Sequence, residues 1–351
     1  MTITPIILAG GFGTRLWPIS RKQNPKQFAN LIGERALFQQ TVDRMYGLQE
    51  LAAPIIVCSS KHYDLVVGQS QSNKVQVILE PMGKGTAPAI AIAAFKLLAQ
   101  GLDPLLLILP ADHVIADVPK FHQAIAVAKK YAEQNFLVCF GVVPSHPETG
   151  YGYIEFGEQL DDGGVCKVSR FVEKPNIDLA KEYVASGKYH WNSGMFMFRA
   201  SKYLQELRQN APDIYQICED IVNNNANLSG EAFEIDSKKF NTCRSDTIDY
   251  AIMEKTKSAI AVPLDIGWSD LGSWQALWEF GKKDTNGNVI IGDVDTKDVS
   301  NSYIHATKRK VVALGVTNCI IVETSDAVLV VSKDCCQDIR LVIDSLSKEY
   351  T

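Results

Sequence analysis

The feature that most constrains this chain is the alternation in its first 145 residues. Short apolar runs occur at "PIILAG" (5–10), "PIIVC" (54–58), "VQVILE" (75–80), "PLLLILPADH" (104–113) and "FLVCFGV" (136–142). Between them, apolar residues recur at helical spacing, as with Leu37, Thr41, Val42 and Met45, or Phe121, Ile125 and Ala128. The Ala-rich "TAPAIAIAAFKLLAQ" (86–100) carries Pro88 in its first turn, where proline is tolerated. Strands alternating with helices of about 10–15 residues build βαβ units, so the fold class is α/β with an open, parallel sheet.

The rhythm changes from residue 150. "GYGYIEF" and "CKVSRFVEKP" (166–175) alternate as antiparallel strands do, a helix is predicted over 177–186, and "NSGMFMF" (192–198) reads as a further strand. Residues 201–257 read as mostly helical, "SAIAVPLD" (258–265) as a strand and "GSWQALWEF" (272–280) as a helix. Trp268, Trp274 and Trp278 have the spacing of a core stripe more than of a ligand platform. "KKDTNGN" (282–288) is a polar, turn-rich break. Beyond it, short β runs follow one another every 8 to 12 residues or so, which suggests a small all-β module. A terminal helix carrying Ile339, Val342, Ile343 and Leu346 would close it. A chain of 351 residues is long for one core. The expected division is 1–283 for the large domain and 284–351 for the module.

The net charge of −5 gives no overall basic field, so neither nucleic acid nor a membrane surface is an expected partner. There is no basic-then-apolar leader and no run of about 18 apolar residues, and the expected setting is cytoplasmic. The eight cysteines form no CxxC pair, and most sit in apolar runs as small hydrophobes would.

Any charge for binding an anion must therefore be local, and it is concentrated in "ILAGGFGTRLWPISRKQNPKQF" (7–28). In open α/β sheets ligands bind beyond the carboxyl ends of strands, where Gly10, Gly11 and Gly13 fall. Glycines let consecutive N–H groups turn toward an anion with no Cβ in the way. Arg15 and Lys26 supply positive charge behind them, the Arg as a planar fork. The dinucleotide fingerprint fails, because Gly11-Phe12-Gly13-Thr14-Arg15 ends in Leu16, and no GK[ST] closes a Walker A loop. Asp112 follows the strand at 104–109, and Asp270 lies in "GWSDLGSW" after another strand. Singly, each suits an ordinary cap or turn.

"GGFGTRLWPISRKQNPKQF" resembles the signature of the sugar-nucleotide pyrophosphorylases, and its "SR…PKQF" ending is similar to the mannose-1-phosphate guanylyltransferase branch. The resemblance continues in order through "EPMGKGTAPAI" (80–90), "LPADH" (109–113), "TGYGYI" (149–154), "FVEKP" (171–175), "WNSGMF" (191–196) and "GWSDLGSW" (267–274). It covers the first 280 residues or so and departs at Lys84-Gly85, where relatives more often carry Arg-Asn.

The resemblance implies a Rossmann-like nucleotidyltransferase domain with a mixed, mainly parallel sheet, followed by a small left-handed β-helix-like module. Longer relatives carry a phosphomannose isomerase domain after it, which this chain is expected to lack. The implied partners are GTP and mannose 1-phosphate, joined with loss of pyrophosphate, and the implied cofactor is Mg2+ held by Asp112 and Asp270. Arg15 and Lys26 join these two acids as catalytic residues. Ala9, Gly10, Gly11, Gly13, Thr14, Arg15, Glu80 and Thr86 are implied at the nucleotide, and Gly150, Glu173, Lys174 and Asn192 at the sugar phosphate. A polar scaffold role suits His113 better than ligation, because magnesium prefers oxygen. No general base is needed, since a phosphate monoester with a second pKa of about 6 is already ionised. A homodimer through the β module is expected. The alternatives are a different base or sugar, a non-catalytic nucleotide-sugar-sensing subunit, and a nicotinamide oxidoreductase with only Asp64 as its ribose-binding acid. The sensing subunit would be expected to lose Arg15, Lys26, Asp112 or Asp270.

Overall fold

The computed structural model describes residues 1–11, 13–70, 75–225, 227–228 and 230–343; the side chains of Thr14, Gln337 and Arg340 lie outside that description, as does Leu346. The chain divides into two compact units. One comprises Met1–Gly10, Thr41–Ala111 and Ile115–Trp268, the other Gly11–Gln40, Asp112–Val114 and Ser269–Thr351.

The first unit holds one ten-stranded sheet. Its strands in chain order are β1 (Ile3–Leu8), β2 (Ile55–Ser59), β3 (Gln76–Glu80), β4 (Leu105–Pro110) and β5 (Leu137–Val142). They continue as β6 (Tyr153–Gln159), β7 (Cys166–Val172), β8 (Tyr189–Arg199), β9 (Ala232–Glu234) and β10 (Ala259–Leu264). The order across the sheet is β9-β3-β2-β1-β4-β8-β5-β10-β7-β6. β1 pairs in parallel with β2 and β4, with Leu8 opposite both Val57 and Pro110. β1 and β4 are apolar and buried along nearly their whole length, as strands covered on both faces must be. β8 runs antiparallel to both β4 and β5, which makes the sheet mixed. The helix Thr86–Ala99 packs its Ala- and Ile-rich length into the same core as Ile6, Leu106 and Phe198.

Two expectations are corrected here. β9 lies within the stretch read as helical and pairs in parallel with β3; three residues are too few to show a period of two. β8 begins at Tyr189 and not at Asn192, because Tyr189, His190 and Trp191 also pair with β6.

The second unit carries β11 (Val289–Ile291), β12 (Val294–Lys297), β13 (Tyr303–Ala306), β14 (Val311–Leu314), β15 (Cys319–Glu323) and β16 (Val328–Ser332). β11, β13 and β15 stack in parallel and place Val289, Tyr303 and Ile320 in one buried row. β12 and β14 stack likewise, so successive coils of chain lie in register as in a β-helix. Val289, Tyr303 and Ile320 share a core with Leu16, Leu31 and Leu37 from the N-terminal loop and with Leu271, Trp274 and Leu277. Trp274 is fully buried and donates its indole N–H to the Trp17 carbonyl at 3.0 Å. Trp278 packs at the edge of this core, whereas Trp268 belongs to the first unit, in edge-to-face contact with Tyr151. The terminal helix is described over Ile339–Ile343. All eight cysteines are free thiols, six of them buried. Among the described residues no helix is long and apolar enough to cross a membrane.

Candidate active site

The polar cluster of the second unit is built around Lys26. Beyond Gly11 the loop is ordered by short backbone hydrogen bonds, from Leu16 N–H to the Gly13 carbonyl and from Phe28 N–H to the Pro25 carbonyl. Gln27 donates to the Gly11 carbonyl at 2.8 Å. Phe28 is buried, and the 3-10 turn Lys26–Phe28 directs the Lys26 side chain inward. Lys26 Nζ lies 3.0 Å from Asp112 Oδ2 and donates to the Asp270 carbonyl at 2.6 Å. Gly13 adopts φ +58°, and a Cβ there would stand 2.8 Å from Lys26 Cβ, so this glycine is required by the lysine. The sequence-predicted trio Lys26, Asp112 and Asp270 is therefore brought together.

Neighbouring charge favours the ionised form of Asp112. Burial pulls the Asp112 carboxyl upward, but Lys26, His113 and hydrogen bonds outweigh it and hold the carboxyl below the usual range. His113 Nε2 is 3.7 Å from Asp112 Oδ1, a neighbour of the acid. Asp270 turns one carboxylate oxygen to the Gly272 N–H at 2.8 Å. Among the described residues no group of three His, Cys, Asp or Glu side chains forms a metal site. Two carboxylates with hard oxygen donors nevertheless fit an ion that keeps waters and takes its remaining ligands from phosphate.

The predicted glycines and their neighbours differ in duty. The Ala9 N–H is spent on the Val57 carbonyl, at 2.8 Å, and is unavailable to a phosphate. A Cβ on Gly10 would approach Glu80 Oε2 to 3.3 Å, whereas one on Gly11 would meet open space. Arg15 is partly exposed on the turn Thr14–Leu16. Glu80 ends β3 with its side chain buried, and burial pushes its carboxyl up to about 8.

At Lys84-Gly85, where the chain departs from its relatives, the backbone of this chain calls for a glycine. Gly85 sits at φ 84°, ψ 177°, and a Cβ would collide with the Asp246 carbonyl. The Asp246 N–H donates to the Lys84 carbonyl, and the Thr86 hydroxyl accepts from Ile248 N–H, both at 2.9 Å. Thr86 is thus engaged within the protein.

The second polar cluster lies in the first unit, at the ends of β7 and β8. Glu173 pairs with Lys174 at 2.5 Å; the acid is nearly buried and the lysine exposed. The glycine beside them is Gly152, where a Cβ would collide with Glu173 Oε2 and lie 3.2 Å from Asn192 Cβ. Gly150 is exposed, with its N–H satisfied by Glu148 at 2.7 Å. Asn192 takes its place through its own N–H, which donates to the Gly152 carbonyl at 2.8 Å. Its side chain donates to Asp249 Oδ1 at 2.9 Å. Burial, then the neighbouring Glu173, pushes the Asp249 carboxyl up to about 6. Sequence reasoning missed Asp249 and Gly152. A lone acid between Ile248 and the apolar Ala251, Ile252 and Met253 was the available signal; the π-helical turn Asp249–Met253 that presents it was not legible.

Comparison with known proteins gives this arrangement a lineage. Residues 4–287 match the family model for nucleotidyl transferases, and residues 285–346 match a MannoseP isomerase/GMP-like beta-helix domain. A Klebsiella pneumoniae protein named Mannose-1-phosphate guanylyltransferase is 48% identical over 99% of this chain and 74% of its own length. The Alginate biosynthesis protein AlgA of Pseudomonas aeruginosa is 47% identical over 98% of this chain and 72% of its own. Among solved structures, a Thermus thermophilus protein described as a mannose-1-phosphate geranyltransferase superposes with a TM-score of 0.88 at 31% identity. The match covers 98% of this chain and 99% of that one. Nucleotidyl transferases generally work with a divalent metal. The chain belongs to the nucleotidyl transferase family, and within it to the mannose-1-phosphate guanylyltransferases.

Proposed function

We propose that this protein transfers GMP from GTP to α-D-mannose 1-phosphate, giving GDP-mannose and pyrophosphate. An oxygen of the sugar phosphate attacks the α-phosphorus in line; a new P–O bond forms as the bond to the β-phosphate bridge breaks, and pyrophosphate leaves. The observation that carries the reading is the Lys26–Asp112–Asp270 cluster: a buried ammonium held by an ionised carboxylate and the backbone of the second acid. A fixed cation at the transferring phosphoryl group stabilises developing charge without reorganising. Lys26 takes that role, with Arg15 beside the phosphates from the partly exposed turn. The Gly10–Gly13 backbone approaches the triphosphate. Glu80 and the segment at Thr86 face the nucleotide, though the Ala9 amide does not.

Asp112 and Asp270 would hold Mg2+, which when bound neutralises phosphate charge and orders the attacking and leaving oxygens. The sugar phosphate is held by Glu173, Lys174 and Asn192, with Gly152 joining Gly150 as a point of close approach. Glu173 accepts from sugar hydroxyls and Lys174 offers its exposed ammonium to the phosphate.

The reading extends to a division at residues 1–283 and 284–351, supported by the two family models that meet at 285–287. It extends to a homodimer, supported by the exposed Val312, Leu314, Val328 and Val330 on β14 and β16, and to a cytoplasmic setting, which suits eight free thiols. The decisive experiment is pyrophosphate release from each pairing of GTP, ATP, UTP or dTTP with mannose or glucose 1-phosphate. Turnover confined to dTTP and glucose 1-phosphate would overturn the substrate assignment. Absence of turnover in every pairing would favour a sensing subunit.

A further inference from the structure

The Asn192 side chain is oriented without ambiguity. Gly194 N–H, which can only donate, lies 3.1 Å from one end of the amide, so that end is the oxygen. The other end is therefore the NH2, and its partner, Asp249 Oδ1 at 2.9 Å, must accept. One N–H of Asn192 is used in this way and the other remains for a ligand. We infer that Asp249 is a positioning residue of the sugar subsite, whose carboxylate locks Asn192 so that it presents an N–H donor alongside the acceptor Glu173. Such a pair reads a sugar through two hydroxyl groups of opposite polarity, one accepting and one donating. The inference rests on the assignment of Glu173 and Asn192 to the sugar phosphate.

The carrier of Asp249 supports this role. The segment leading to it is pinned to residues 84–87: the Asp246 N–H donates to the Lys84 carbonyl at 2.9 Å and the Ala87 N–H to the Asp246 carbonyl at 3.2 Å. Ile248 N–H donates to the Thr86 hydroxyl at 2.9 Å. A carboxylate standing on so constrained a strap has little freedom to follow a mobile partner, so Asn192 adapts to it. Asp249 is also costly to keep there. Glu173, Lys174, Cys139 and Tyr250 face it together with Thr247 and Asn192, and burial with the like charge of Glu173 opposes its ionisation. An acid serving packing alone would be replaced by an apolar residue at no loss.

The test is steady-state kinetics on the full chain, using whichever of mannose, glucose and N-acetylglucosamine 1-phosphate the wild type turns over best. Asp249→Ala is expected to raise KM for the sugar phosphate about tenfold or more while KM for the nucleotide stays within about twofold. Asp249→Asn keeps an acceptor oxygen and should recover to within about threefold of wild type. Most tellingly, Asp249→Ala combined with Asn192→Ala should be no worse than Asn192→Ala alone, because both remove one interaction. If Ala at 249 does not fold, Asn192→Asp gives the same reading. It sets a carboxylate against Asp249 and should raise KM at neutral pH, with recovery as the pH falls below the titration of the pair. Additive single effects, equal rises in both KM values, an unchanged KM, or an Asn192→Asp variant indifferent to pH would overturn the inference alone. A wild type inactive with all three sugar phosphates would overturn the proposed function, and the inference with it.

Discussion

Asp112 and Asp249 are both acids crowded by protein, yet one is driven toward its charged form and the other toward its neutral one. Asp112 meets an ammonium at 3.0 Å, which outweighs its desolvation. Asp249 meets an amide and, nearby, a second carboxylate, so its carboxyl rises to about 6. On the roles proposed for them, the difference follows from what each would face. An acid that receives a cation has to be ionised before the cation arrives, and a preplaced lysine keeps it so. An acid that orients an amide needs only a lone pair, which it retains in either protonation state.

The largest expected effect breaks the first half of this contrast. Asp112→Asn keeps the volume but removes the charge that anchors Lys26 and would hold the metal. Turnover should fall by more than about a thousandfold at every magnesium concentration, read as pyrophosphate release. Near-normal rates would take Asp112 out of the metal site and leave the two acids without distinct tasks. Lys26→Arg should follow, with turnover down by roughly 10²–10³. The guanidinium is planar and broad, while the lysine stem fits against the bare Gly13 and its point charge meets two oxygens at once. An arginine variant within a factor of ten of wild type would show that a diffuse charge suffices there.

Much of the sheet was legible because β1, β4 and the helix Thr86–Ala99 are apolar along their length, and local pattern reports such burial directly. The Lys26–Asp112–Asp270 grouping was legible only through family resemblance, since no local spacing joins residues so far apart in the chain. What stayed hidden is discontinuous packing. Leu16, Leu31 and Leu37 share a core with Trp274, Tyr303 and Ile320, so the glycine loop folds in one compact unit with the C-terminal coils, a grouping that no contiguous boundary near 284 can express. Gly152 and Asp249 were missed for a related reason. Each matters through a neighbour remote in sequence: Glu173 and Asn192 for the glycine, Asn192 for the acid.

Two glycines sharpen the comparison at a smaller scale, one inside the family signature and the other where the chain departs from it. Gly85→Ala forces a side chain into φ 84°, ψ 177° and against the Asp246 carbonyl, and should cost about 2 kcal/mol or more in a denaturant melt. It should also raise KM for the nucleotide if the 84–87 segment faces the base. Gly11→Ala meets open space and should change stability by no more than about 0.5 kcal/mol. Equal losses at the two positions would mean that Gly85 is not held by the strap that carries Asp249.

Glu80 offers the gentlest test of whether burial keeps an acid neutral. Its carboxyl is pushed from the ordinary 4.5 to about 8 in the folded chain. Between those values the unfolded chain has lost the proton and the folded chain still binds it, so the group's contribution to stability declines as pH rises through that window. Below about 4.5 the contribution is fully present, and above about 8 its loss is complete and the slope vanishes. Glu80→Gln keeps the shape and cannot ionise. Its stability should therefore fall less steeply than wild type over this range, by at most about 1.4 kcal/mol per pH unit, and the variant should be the more stable protein at pH 8. Chemical denaturation at a series of pH values measures the difference directly. Parallel curves would mean that Glu80 is ionised at neutral pH, and that a cationic group, as at Asp112, reaches it after all.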